Sequence, residues 1–301
     1  MHRKAFLQAS AVLLAMGATS APLFKKPAAK ISFSTLGCPD WTFDRIIDFA
    51  VQHKYDGIEL RGLLREMDLI KCPEFSTAER RRATMQQLKD HKLVITDLGS
   101  SATLHFDDTA TRTKNLDEGK RFIDLAEQIH CPYVRVFPNK FLEGKEHAYT
   151  IDLITKGLLE LANHANGTKV TVLMETHGDL VDAANIKQIM EGASHPHTGL
   201  VWDIVNMWSI TKVPPATVYK QLKPYIRHTH IKDGMVDGNT INYTLLGTGN
   251  TPVLSAIDLL REDGYKGFYS FEWEKLWHPE IAEPEIAIAA YAKTLREHFA
   301  R

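Results

Sequence analysis

Four apolar runs in the second half of the chain each lead into a residue able to hold a cation or move a proton. Val172-Leu173-Met174 leads into Glu175, Val201-Trp202 into Asp203, His228-Thr229 into His230, and Tyr269-Ser270-Phe271 into Glu272. Read singly, each acid is a helix cap or a surface charge. Gathered at one point, three carboxylates repel each other and push at least one proton affinity up. A divalent cation removes that repulsion. Three carboxylates with one imidazole suit Mn²⁺, Mg²⁺, Co²⁺ or Zn²⁺. Four such residues at the ends of successive strands favour one shared ion over four unrelated charges. Glu274 alternates onto the same face as Glu272 and is an alternative ligand.

Other polar residues share those faces. Glu59 and Arg61 alternate on one apolar run, and Arg135 and Phe137 on another. His177 stands two residues past Glu175, and Lys232 two past His230. Each is placed to hydrogen-bond a substrate or to orient a ligand. For Arg135 and Glu59 the competing expectation is a buried ion pair with one another. For Lys232 it is a salt bridge to Asp233. His228 lies deeper than His230 and reads as a core histidine. His105 either lines the site or sits in a surface loop.

The elements that position these residues form a repeat. Strands are expected at Ile31–Leu36, Gly57–Arg61, Leu93–Leu98, Tyr133–Phe137, Lys169–Glu175, Gly199–Ile204, Ile226–Ile231 and Gly267–Glu272. Amphipathic helices are expected between them, at Phe43–His53, Thr77–His91, Thr111–Ile129, Ala148–Ala165, Ala183–Glu191, Ala216–Leu222 and Pro252–Asp263, with a last one at Glu285–His298. Strands separated by helices pair in parallel through crossovers. Eight units in series predict an α/β fold, a single-domain (β/α)8 TIM barrel over residues 31–301. An open doubly wound sheet needs a glycine-rich phosphate turn after the first strand, and Leu36-Gly37-Cys38-Pro39 is not one. In a barrel, strand C-terminal ends carry the active site, which is where the acids and the imidazole fall.

Residues 1–30 read differently. Met1-His2-Arg3-Lys4 is basic, Ala5 to Ala21 carries no charge, and small residues follow at Thr19, Ser20 and Ala21. This is the pattern of a secretory signal peptide followed by a linker, implying export to a bacterial periplasm with no stable membrane insertion after cleavage. The run Arg3-Lys4-Ala5-Phe6-Leu7-Gln8 resembles a twin-arginine export signal with Lys in the second Arg place. Cys38, Cys72 and Cys131 contain no Cys-x-x-Cys pair and are expected as buried free thiols. Lys+Arg 36 against Asp+Glu 37 leaves a net charge of -1, without the basic excess of a nucleic-acid binder.

On these residues the chain resembles the xylose isomerase-like TIM barrels, a sugar isomerase and epimerase family that includes inosose dehydratases. The resemblance covers nearly all of the chain after the leader. It rests on Leu173-Met174-Glu175-Thr176-His177, Trp202-Asp203-Ile204-Val205-Asn206, His230-Ile231-Lys232-Asp233, Leu246-Gly247-Thr248-Gly249 and Phe271-Glu272-Trp273-Glu274. It implies that Glu175, Asp203, His230 and Glu272 hold one divalent metal (Mn, Mg, Co or Zn). It further implies that Glu175 and Glu272 double as the acid/base pair that moves a proton beside a sugar carbonyl through a metal-stabilised enediolate. His177, Lys232, Arg135, Asn206, Glu59 and Trp208 are then the candidate substrate-binding residues. Trp41, Trp208 and Trp277 are expected over the mouth, where an indole can stack on a sugar ring.

The expected activity is that of a metal-dependent isomerase or epimerase acting on a non-phosphorylated sugar or keto-sugar, since phosphorylated sugars are cytoplasmic intermediates. Two alternatives stay open. One is a lyase or dehydratase acting on a keto-sugar, keto-glycoside or inosose. The other is a sugar-binding barrel without turnover. The resemblance sets a histidine at the Asn206 position in the nuclease branch and in ketose 3-epimerases. Its absence argues against both, and the expected partner is a small carbohydrate with no nucleic acid.

Overall fold

The computed structural model describes residues 29–238 and 240–301. The leader expected at 1–30 therefore lies almost wholly outside the described residues. The order of elements is β1 (Lys30–Ser34), α1 (Phe43–Gln52), β2 (Gly57–Leu60), α2 (Ala78–Asp90), β3 (Val94–Thr103), α3 (Thr109–Gln128), β4 (Tyr133–Phe137), α4 (His147–His164), β5 (Thr171–Glu175), α5 (Ala183–Gly192) and β6 (Thr198–Asp203). It continues with α6 (Ile204–Thr211), α7 (Pro215–Leu222), β7 (Ile226–Ile231), β8 (Asp233–Asp237), β9 (Thr240–Thr244), α8 (Val253–Glu262), β10 (Phe268–Phe271) and α9 (Pro284–Ala300). Eight strands close into a parallel barrel in the order β1-β10-β7-β6-β5-β4-β3-β2. The predicted TIM barrel is thus the observed architecture.

Local chemistry starts the helices where the pattern places them. Thr42, Thr77, Asp108 and Asp182 each cap an N-terminus by accepting a backbone N–H from the first turn. α1 then buries Phe43, Ile46, Ile47 and Ala50 on one face against the sheet. The three cysteines are buried free thiols, as expected.

The inside of the barrel departs from the branched aliphatic filling common in this architecture. Ser32, Glu59, Asp97, Arg135, His228 and Ser270 come from six different strands and are all at most 1% exposed. Polar groups removed from water must satisfy each other or be satisfied by an ion or ordered water. The barrel axis is therefore a polar column leading to the mouth.

Three features differ from the sequence expectation. β3 runs on to Thr103 instead of ending at Leu98, with a register irregularity between Gly99 and Thr103. Gly99 leaves room for the two arginines beside it: a Cβ would fall 2.6 Å from Arg61 Cδ and 2.8 Å from Arg135 Nη2. A short helix, α6, follows β6 immediately because Asp203 itself accepts the Asn206 N–H at 2.9 Å. After β7, β8 and β9 form an antiparallel hairpin outside the barrel, pairing Asp237 with Thr240.

Asp233 ties that hairpin down. Its two oxygens accept from the N–H groups of Gly234 (2.8 Å), Gly247 (2.8 Å) and Gly249 (3.0 Å) and from Thr251 Oγ1 (2.6 Å). Asp233→Ala leaves those donors unsatisfied and is expected to cost about 2 kcal/mol or more. Hydrogen exchange should speed up across 233–251 while the barrel strands stay protected. Unchanged protection in the hairpin would show that Asp233 is not its anchor.

Candidate metal centre at the barrel mouth

Glu175 ends β5, Asp203 ends β6, His230 lies one residue from the end of β7, and Glu272 follows β10. Parallel strands in register bring all four to one end of the barrel. One ligand atom from each lies within 4.8 Å of all the others. All four are buried, at 1%, 0%, 0% and 4% exposure. His230 Nδ1 sits between the two glutamates, 3.3 Å from Glu175 Oε1 and 3.2 Å from Glu272 Oε2.

The donor set fits a divalent ion. Glu175 Oε2 and Asp203 Oδ2 are buried acceptors with no aligned hydrogen-bond donor. Each has a cation close by, Arg135 Nε at 3.1 Å and Lys232 Nζ at 2.8 Å, so charge is balanced while the lone pairs stay free. Carboxylate oxygens and one imidazole nitrogen are the ligands that Mg²⁺, Mn²⁺ and Zn²⁺ accept.

The electrostatics of these side chains show what an ion must displace. Burial alone lowers the proton affinity of His230, but Glu272, Glu59 and Glu175 outweigh it and raise the imidazole well above its usual range. Burial pushes Glu272 up, yet His230 and Lys232 hold its carboxyl well below the carboxylate range. Asp203 goes the other way, to about 7, because burial and the charges of Glu272 and Glu175 exceed the pull of Lys232. Burial alone lowers the proton affinity of Lys232. Asp203, Glu272 and Glu274 keep it an ammonium, with Nζ 2.8, 2.7 and 2.7 Å from them.

Beneath the mouth, Glu59 Oε2 accepts from His230 Nε2 (3.2 Å), His228 Nε2 (2.9 Å) and Ser270 Oγ (2.9 Å). A carboxylate on the far nitrogen fixes the orientation of a ligating imidazole and raises its basicity. With Oε2 engaged by these three donors beneath the mouth, Glu59 is placed to orient His230. Asp97 lies next to it in register, with both oxygens unpartnered. Burial and the Glu59 charge push Asp97 up to about 7. Glu59→Gln is expected to weaken ion binding about 10–100-fold with the fold intact. Unchanged affinity by calorimetry would remove Glu59 from this role.

The other candidates separate. Arg135 pairs with Glu175, so the expected Arg135–Glu59 ion pair is not formed; Glu59 is engaged by the histidines of β7. The expected Lys232–Asp233 bridge is not formed either, because consecutive residues of an extended chain point opposite ways. Asp233 faces the hairpin and Lys232 the acids. Glu274 binds Lys232 and stays outside the ligand group. His228 is a core histidine, bonded through Nε2 and unpartnered at Nδ1. His177 is half-buried, with Nδ1 2.9 Å from Asn139 Oδ1, and burial lowers its proton affinity. His105 is buried against Phe106, 4.1 Å between rings. Asn206 lies in the first turn of α6, and Trp208 stands on the same helix with Lys212 Nζ 4.7 Å over its ring. Trp41 is no lid: it is 4% exposed and packed against Phe49, under Arg45. Trp277 is 56% exposed in the segment after β10.

Two residues at the mouth escaped the sequence reading. Tyr243 on β9 puts its ring 5.9 Å from Lys232 Nζ. Its signal was the Gly238-Asn239 pair between alternating apolar residues, which marks a two-residue hairpin turn. Asn139 has no comparable signal, since its contact to His177 joins two loops.

A model of the xylose isomerase-like TIM barrel matches residues 47–297 of the sequence. The chain belongs to this family. No curated protein sequence matches it. Among solved structures, this xylose isomerase-like barrel is similar to the probable 3-DHS dehydratase AsbF from Bacillus anthracis, at 20% identity and TM-score 0.71 over 89% of this chain and 98% of that one. It is similar to the 3-keto-D-glucoside 4-epimerase YcjR from E. coli, at 15% identity and TM-score 0.69 over 91% and 100%. It is also similar to the IOLI protein with a bound zinc atom, at 17% identity and TM-score 0.76 over 90% and 98%. At these identities the likeness is one of fold.

Proposed function

We propose that this xylose isomerase-like barrel is a divalent-metal-dependent isomerase or epimerase of a non-phosphorylated sugar or keto-sugar. The observation that carries the reading is the pair of buried glutamates, Glu175 and Glu272, that converge on His230 Nδ1 at 3.3 and 3.2 Å. Glu175, Asp203, His230 and Glu272 would hold a divalent ion, which when bound would polarise a carbonyl as a Lewis acid and make the neighbouring C–H acidic. Glu175 takes that proton at Oε2, the buried oxygen with no hydrogen-bond donor. Arg135 holds its carboxylate in place. Glu272 passes a proton back to carbon, drawing it from the Lys232 ammonium that donates to its Oε2 at 2.7 Å. Two bases facing one carbon from opposite sides give epimerisation; a proton returned to the adjacent carbon gives isomerisation.

A second reading is a lyase. Its support is Lys232, an ammonium 2.7 Å from Glu272 and able to give a proton to a leaving hydroxyl or glycosidic oxygen. Export through the leader at 1–30 belongs to the same proposal, and N-terminal sequencing of the mature protein checks it.

Deuterium incorporation from D₂O into neutral keto-sugars tests the reading, with magnesium, manganese or zinc supplied. Label at the carbon beside the carbonyl without loss of substrate mass is the expected result. Elimination products would replace the isomerase reading with the lyase. Binding without label would leave a sugar-binding barrel.

A further inference from the structure

The loops after β4 and β5 are stitched together more closely than their lengths require. Asn139 stands in the left-handed region, at φ 57°. Its carbonyl accepts the Asp179 N–H at 2.7 Å, and Asp179 Oδ2 accepts the Phe141 N–H at 3.3 Å. Between them Gly178, at φ 68°, packs so tightly that a Cβ would run into the Asn139 carbonyl. From this fixed backbone the Asn139 side chain sets Oδ1 2.9 Å from His177 Nδ1. The His177 ring is held from the side by Phe137, 4.8 Å between centroids, and Phe137 lies under the Arg135 guanidinium at 3.8 Å.

An amide oxygen only accepts hydrogen bonds. We infer that Asn139 is a positioning residue that keeps the His177 proton on Nδ1, so that Nε2 offers its lone pair to a hydroxyl of the substrate. His177 Nε2 makes no hydrogen bond among the described residues, and the ring is half-buried two residues beyond Glu175 on the same face. A fixed acceptor selects what it meets. A sugar hydroxyl donates to it, whereas phosphate and carboxylate oxygens bring only acceptors and leave both partners unpaired. The substrate class this favours carries a free hydroxyl beside the reacting carbons and no anionic group there. That part rests on the sugar reading above; the tautomer does not.

The test is a long-range proton–nitrogen correlation spectrum of the full chain with ¹⁵N-labelled histidine and magnesium present. The His177 signal is assigned by its loss in His177→Gln. The expected result is a protonated Nδ1 and an unprotonated Nε2. Asn139→Gly keeps the backbone conformation, which glycine adopts freely, and removes the amide. It should move the proton partly or wholly to Nε2, whereas Asn139→Asp keeps an acceptor and should keep Nδ1 protonated. For a keto-sugar that the wild type labels in D₂O, Asn139→Gly should raise KM roughly three- to tenfold, the worth of one hydrogen bond, with kcat within about twofold. A proton on Nε2 in the wild type, or one tautomer common to wild type and Asn139→Gly, overturns the inference. A shifted tautomer with unchanged KM overturns its substrate half. The expected tautomer in a protein that labels no sugar leaves the positioning role standing and brings down the proposed function instead. Should Asn139→Gly not fold, the wild-type and Asn139→Asp spectra still decide.

Discussion

Glu175→Gln is expected to lower deuterium incorporation into the keto-sugar substrate by about a thousandfold or more. Two losses combine. The amide cannot take a proton from carbon, and positioned general bases contribute about 10²–10⁴-fold. The substitution also takes one anionic oxygen from a ligand group whose members lie within 4.8 Å of each other. Glutamine is nearly isosteric, but it leaves the buried Arg135 guanidinium without its carboxylate partner, so some stability is lost with the rate. Circular dichroism and a melting curve measure that loss before the rates are compared. Glu272→Gln should show a comparable loss of turnover. Retention of a tenth or more of wild-type labelling by Glu175→Gln would take proton transfer away from this residue.

Lys232→Met is expected to destabilise the metal-free protein by about 3–5 kcal/mol, the cost of leaving buried charge uncompensated. The ammonium lies within 2.8 Å of Asp203, Glu272 and Glu274, and Lys232 is 0% exposed. Methionine fills the space without the charge, so the remaining carboxylates face one another uncompensated. The same account predicts partial recovery on adding magnesium or manganese. An ion bound only by the folded state stabilises it by mass action and here also neutralises the acids. Thermal melts with chelator and with added ion measure both effects. A change below about 1 kcal/mol in chelator, or a variant indifferent to the ion, would show that Lys232 and the ion do not serve the same charges.

The barrel was legible because its strands are short apolar, β-branched runs and its helices are apolar on one face only, and the two patterns punctuate each other along the chain. Tyr133–Phe137 and Ile226–Ile231 have the predicted bounds. The acids and the imidazole were legible for a related reason. A charged residue closing a buried run has to be stabilised by something, and parallel strands bring such residues to one end. What escaped depends on contacts across the barrel. Glu59 and Arg135 both sit on inward faces, but periodicity carries no information about which histidine or carboxylate each one meets. Trp41 was misplaced because an indole after a strand packs equally well on the next helix, here against Phe49. The hairpin at 233–244 carried a turn signal that the barrel repeat overshadowed. Asn139 and His177 meet only because the loops of β4 and β5 cross.

The central claim is that Glu175, Asp203, His230 and Glu272 act together on one ion. Equilibrium binding of Mn²⁺ to the purified chain, run across the neutral pH range, tests it most directly. The account predicts one ion per chain. It also predicts affinity rising about tenfold per pH unit above pH 7, where the ion displaces the proton that the surrounding glutamates hold on His230, and more steeply below it, where Asp203 must give up a proton too. Asp203→Asn and His230→Gln should each abolish or severely weaken that binding. No bound ion, or an ion still held equally tightly after both replacements, would contradict the account.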